Sequence, residues 1–406
     1  MSATIAARTS PAGPPSPRAR IEDLATRHRS SAIVVGMLII AVGLIVLPKI
    51  PPLSLIDRED PWYDTFANAG VYILLAMGLN VVVGLAGLLD LGYAAFFAIG
   101  SYTYAYSNSP FAGTDFPFLP MLLVGASVAA VFGIALGAPT LRLRGDYLAI
   151  MTLGFGEIVP IVFLNLDTWT LGTNGIGGIY RPDPLPLIGE FTPLTPFAYF
   201  ILMVGIVTVA MILLYRMQDS RIGRAWNAIR EDELAAAANG INTVTTKLLA
   251  FAIGATTAGL AGVFNASKLT IVSPEQFGFA VSFIVLAMVI LGGMGNIWGV
   301  AVGAFIVYEI QVQGFKQLNK VVEGLAIPVL KDVNFTDYQY LLFGGALVLM
   351  MLFRPEGLFP SQRRRRELHI AEELAGPADD EIDVAAGAAM AGSLGATPGS
   401  GEDQPG

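Results

Sequence analysis

Apolar residues in this chain run in long blocks, at about 32–47, 66–84, 88–106, 117–139, 147–165, 196–215, 247–267, 279–291, 297–312 and 338–353. A hydrocarbon core about 30 Å thick is crossed by about 20 helical residues, so the longer blocks predict spanning helices and the shorter ones tilted or broken helices. The expected fold is all-α: a polytopic membrane protein of about ten transmembrane helices, some interrupted by glycine. A polar island, 220–246, separates the sixth block from the seventh. Within it Ile222, Ala225, Trp226, Ile229 and Leu234 recur at three- and four-residue spacing, which predicts an amphipathic helix over about 221–241. Such a helix suits a groove on a partner protein or a layer of lipid headgroups, and the acids beside its arginines favour the groove. On that reading Trp226 and Ile229 are the apolar anchors offered to the partner, with Arg221, Arg224 and Arg230 as polar contacts.

Composition agrees with the blocks. Hydrophobic residues make up 54% of the 406, charged residues only 14%, and the mean hydropathy is +0.62, so the bilayer is the expected solvent. With no cysteine there is no disulfide framework, and two histidines near the termini make a histidine metal centre improbable, so no metal site is expected. Three regions follow: a flexible tail at 1–31, a membrane domain at 32–360, and a basic then acidic tail at 361–406. The first apolar block lacks a small-residue cleavage site and reads as a spanning helix rather than a signal peptide. If the N-terminus lies inside and ten segments cross, seventeen of the 24 Lys and Arg residues fall inside and seven outside. That bias places both termini and the 220–246 island on the cytoplasmic side. The net charge of −8 adds little, because the acids gather in a tail and in outer loops.

Two glycine-interrupted stretches lie in separate halves, one carrying Gly84, Gly87, Gly92 and Gly100, the other Gly292, Gly293, Gly295 and Gly299. They read either as tight helix packing or as breaks within the membrane, and their pairing suggests a weak internal repeat of the kind transporters show. Neither is a phosphate-binding loop: no Gly-x-x-x-x-Gly-Lys-Ser/Thr pattern occurs anywhere, so the chain is not expected to hydrolyse ATP or to act as an enzyme. Glu157 falls mid-block with Pro160 a turn later, and a carboxylate at that depth is a functional candidate. Its face includes Leu153, Gly154 and Ile161, with Thr152 close. An amino-acid ammonium would suit Glu157, while the carboxylate would suit a broken helix N-terminus near Gly87 or Gly293; alternatively Glu157 bonds a neighbouring helix. Asn80 reads as a pathway candidate or as interhelical glue. Asp90 is expected at a water-exposed turn and Glu309 at a solvated helix end.

The segments at 80–102, 142–158, 223–242, 291–299 and 353–359 together resemble, in order, the LivM type of permease subunit of bacterial branched-chain amino acid ABC importers. The resemblance covers about residues 66–360. It implies a pathway shared with a second homologous permease subunit, two cytoplasmic ATPase subunits that hold ATP-Mg, and an extracytoplasmic solute-binding protein. No cofactor on this chain and no nucleic acid are implied, and membrane lipids are the remaining contacts. The 223–242 element is similar to the family's ATPase-coupling helix, which places Arg224, Trp226, Ile229, Glu231 and Gly240 at the coupling site. Asn80, Gly87, Thr152, Glu157, Asn174 and Gly293 are pathway candidates, Asn174 through a loop similar to the family's Thr-Gly-Gly outer loop. Two other readings stay open: a urea or other small-solute permease of the same superfamily, and a secondary transporter driven by an ion gradient.

Overall fold

The computed structural model describes residues 29–49, 59–140, 146–186, 188–317, 319, 338–354 and 357–359. Most of both expected tails, including the basic run at 363–366, lies outside these residues. Each of the ten apolar blocks forms a helix. They are α1 (Arg29–Val46), α2 (Glu59–Asn80), α3 (Ala94–Ser107), α4 (Phe118–Thr140), α5 (Asp146–Asn165) and α6 (Pro196–Gln218), then, after two short polar helices, α9 (Thr243–Leu269), α10 (Phe279–Gly292), α11 (Ile297–Glu309) and α12 (Gln339–Phe353). The short pair is α7 (Arg221–Glu231) and α8 (Glu233–Ala238). Eight of the apolar helical segments are long and apolar enough to cross a membrane. The exceptions are α3 and α12, with 14 and 15 residues, about 21–23 Å at 1.5 Å per residue.

At the centre stands α9, packed against α2, α3 and α4. Its small residues explain the closeness: a Cβ built on Gly100 of α3 would lie 2.5 Å from the Gly259 carbonyl oxygen, and one on Gly262 would lie 2.5 Å from that of Phe97. Backbones meet here because no side chain intervenes, which is how helices gain dispersion contact in a solvent as apolar as they are. Hydroxyls tie the layers: Tyr93 donates to the Gly254 carbonyl at 2.7 Å, and Ser101 to that of Gly262 at 3.1 Å. The start of α3 is held by Ser282 of α10, whose Oγ accepts from the Ala94 N–H at 2.9 Å.

One end of the bundle carries α7 and α8. At the other, Lys268 pairs with Asp64 at 2.8 Å and donates to Asn68 Oδ1 at 2.6 Å. There a loop with a left-handed Leu171 and a turn at Gly172–Asn174 leads into β1 (Ile176–Gly177), antiparallel to β2 (Ile271–Val272). A Cβ on Gly175 would strike the Val272 carbonyl, so glycine lets this loop lie on β2, just beyond the end of α9.

Candidate functional site

The polar island folds differently from the single helix expected. Asp232 adopts an extended conformation that ends α7, and its Oδ1 accepts from Leu234 and Ala235 N–H at 2.8 and 3.0 Å to start α8. Ser220 caps α7, its Oγ accepting from Ile222 and Gly223. Trp226 and Ile229 are not offered to a partner: both are buried within this chain, and Trp226 Nε1 donates to the Thr246 carbonyl at 2.8 Å. Of the expected stripe only Trp226 and Ile229 are buried, and they cover the protein's own body, while Ile222 and Leu234 face outward. Behind it, Lys247 pairs with Glu233 at 2.6 Å.

The solvent face is left to Arg221, Arg224, Glu231, Leu234 and Gly240. Arg224 donates to the Asp219 carbonyl at 3.1 Å, and Leu234 is 68% exposed, a large apolar side chain held outward. Gly240 turns the chain towards α9 at φ +85°, a conformation that costs residues with a Cβ, in otherwise open space.

From the inward side of α7 Arg230 reaches the first glycine-rich break. After Asn80, α2 loosens into a π-helical turn, Val81–Leu85, where Arg230 Nη1 donates to the Gly84 carbonyl at 2.5 Å. Gly87 follows at φ +70°, and a Cβ there would lie 2.9 Å from Arg230 Cγ. The second break meets the first at this place. Asn80 is fully buried, its Oδ1 accepting from Gly295 N–H at 2.8 Å, and Gln218 Nε2 donates to the Gly295 carbonyl at 3.4 Å. A strap at 357–359 closes the second break, with Leu358 and Phe359 N–H donating to the Leu291 and Gly292 carbonyls at 2.8 and 3.3 Å. One junction thus joins both glycine stretches, the end of α6 and the polar helix pair.

Several expectations change. Gly87 follows the C-terminal end of α2 and Gly293 caps that of α10; the helix N-terminus at the second break is that of α11, which Asn296 caps by accepting from Gly299 N–H. Thr152 and Glu157 do not share a face. The buried side of α5 holds Thr152, whose Oγ1 accepts from Leu91 N–H at 3.0 Å, while Glu157, Gly154 and Ile161 lie on the exposed side. Asp90 is not water-exposed but 1% exposed, its Oδ1 accepting from Gly92 N–H at 2.9 Å and its Oδ2 unpartnered. Its turn packs against Thr152, within the depth of the span Tyr147–Asn165. Glu309 is half-buried rather than solvated, its Oε1 covered by the chain. Asn174 is exposed in its loop, far in the fold from the junction.

Sequence reading missed Gly84, Gln218 and Gly295 as junction members, and it gave Arg230 the wrong direction. A signal existed: Arg230 follows Trp226 by four residues and so shares its buried stripe.

A helical bundle for the bilayer, joined at its glycine breaks to a polar helix pair on one end, defines a multi-pass membrane protein. A family model described as "Branched-chain amino acid transport system / permease component" matches residues 63–351, and the chain belongs to that family. It is 40% identical over 317 residues to the high-affinity branched-chain amino acid transport system permease protein LivM of Escherichia coli K12, covering 73% of this chain and 70% of the relative. The Salmonella typhimurium LivM is 40% identical over 320 residues, covering the same shares. LivH of E. coli K12, a permease protein of the same description, is 24% identical over 299 residues, covering 71% and 90%. No solved structure matches.

Proposed function

We propose that this chain is the LivM-type permease subunit of an ATP-driven importer of branched-chain amino acids in a bacterial plasma membrane. Its partners on this reading are a second, homologous permease, two cytoplasmic ATPases holding ATP-Mg and an extracytoplasmic binding protein, while the chain itself binds no cofactor. That one organism holds both LivM and LivH, each described as a permease of a branched-chain amino acid system, supports a mixed permease pair. Both termini and the α7–α8 pair face the cytoplasm, in keeping with the distribution of Lys and Arg.

The observation that carries the reading is that α7 has one face buried in the bundle and one left open. Inward, Trp226 fixes it to α9 and Arg230 to the Gly84 break; outward, α7 and α8 present Arg224, Glu231, Leu234 and the Gly240 turn to an ATPase groove. A push on the outer face is delivered to the junction where α2 and α10 are broken. Helix elements with two arrangements, biased by a motor, are what alternating access requires.

The test is uptake by proteoliposomes holding the whole complex, with binding protein and labelled leucine outside and ATP inside. Uptake stops when ATP is withheld and persists when ionophores collapse the ion gradients; the opposite pattern would overturn the reading in favour of an ion-coupled carrier. Uptake of urea in place of leucine would reassign the cargo alone.

A further inference from the structure

α5 is a spanning helix with a charge on its outside. Glu157 is the eleventh of the 19 residues of the span Tyr147–Asn165 and therefore sits at mid-membrane. Its neighbours on that side are Ile150, Ile158 and Ile161, 62%, 52% and 53% exposed, and Gly154, where a Cβ would meet nothing within 4 Å. Their spacing of three and four residues makes one continuous stripe, opposite the side on which Thr152 and Gly156 press against Leu91 and Gly92.

The other open helices differ. The exposed large residues of α1 are apolar, including Leu38, Ile39 and Val42, and so are those of α4, including Leu123 and Val131; Ser127 of α4 returns its hydroxyl to the Leu123 carbonyl. Those faces suit lipid. Glu309, the other mid-span carboxylate among the described residues, is turned partly into the chain. Only the α5 stripe, among the described residues, presents a carboxylate outward at mid-span, where leaving it in hydrocarbon costs several kcal/mol.

We infer that the α5 stripe is the seam with the second permease subunit, that Gly154 receives a partner side chain, and that a donor or cation of the partner meets Glu157. The inference rests on the proposed importer assembly. It also specifies the partner: a second copy of this chain placed symmetrically on α5 would bring two Glu157 carboxylates together at low dielectric, so the occupant is a homologous but different permease.

The experiment uses the whole transporter in its native membrane, with a photo-reactive amino acid at Ile158, and at Leu38 or Leu123 as controls, and mass spectrometry of the adducts. The expected result is a cross-link from position 158 to a different permease and none from the controls. Adducts from 158 to lipid alone, or to a second copy of this chain, would overturn the inference. In parallel, Gly154→Leu should lower recovery of the second permease at least tenfold while Leu38→Trp leaves it unchanged. Equal recovery in both would also overturn it. If the purified complex holds no ATPase, the importer reading itself has failed. An intact complex with no cross-link from 158 sinks the seam alone.

Discussion

α9 and α5 are both apolar spanning helices, yet they do opposite work. α9 is enclosed, and its glycines and alanines are small because neighbouring backbones occupy the space; α5 is open, and its Gly154 is small although none of the described residues fills the gap. The lesson is that glycine in a membrane helix records contact only when its surroundings are known: the same residue closes a core in one helix and leaves a socket in the other.

The largest effect should come from breaking the enclosed helix. Gly259→Leu forces a side chain into the Gly125 carbonyl and Ala129, a clash that cannot be relieved by rotamer change, and the chain should be lost from the monodisperse peak on detergent gel filtration. Gly154→Leu should leave that peak intact. The same inward and outward contrast recurs in the polar pair. Trp226→Ala should lower the stability of the purified subunit by about 3–5 kcal/mol, read as a fall in thermal midpoint. Leu234→Asp should leave the midpoint unchanged and weaken ATPase co-purification several-fold. Next comes Arg230→Ala, expected to cut uptake about tenfold while ATP hydrolysis continues, with Arg230→Lys recovering part of the coupling. Hydrolysis and uptake falling together would instead mean that Arg230 only holds the fold.

Much of this was legible in the residues. Apolar blocks located the eight spanning segments because a spanning helix writes its length into the sequence, and they located the shorter α3 and α12 as well. Trp226 and Ile229 were legible as a stripe, but periodicity gives a face and not what covers it, so the anchors were assigned to a partner instead of to α9. The burial of Asp90 was illegible for a related reason: Thr152, which closes over its turn, is distant along the chain, and no local pattern reports it. The π-helical turn after Asn80 also left no mark, since its residues, Val81–Leu85, read as ordinary helix.

The strap that ends at Phe359 has a consequence for biogenesis. The carbonyls of Leu291 and Gly292 wait for N–H donors that a ribosome delivers only after two further helices have been made. Until then the second break is an unfinished hinge, so a chain stopped just after α12 would insert all its helices and still lack the clasp that gives that hinge its shape.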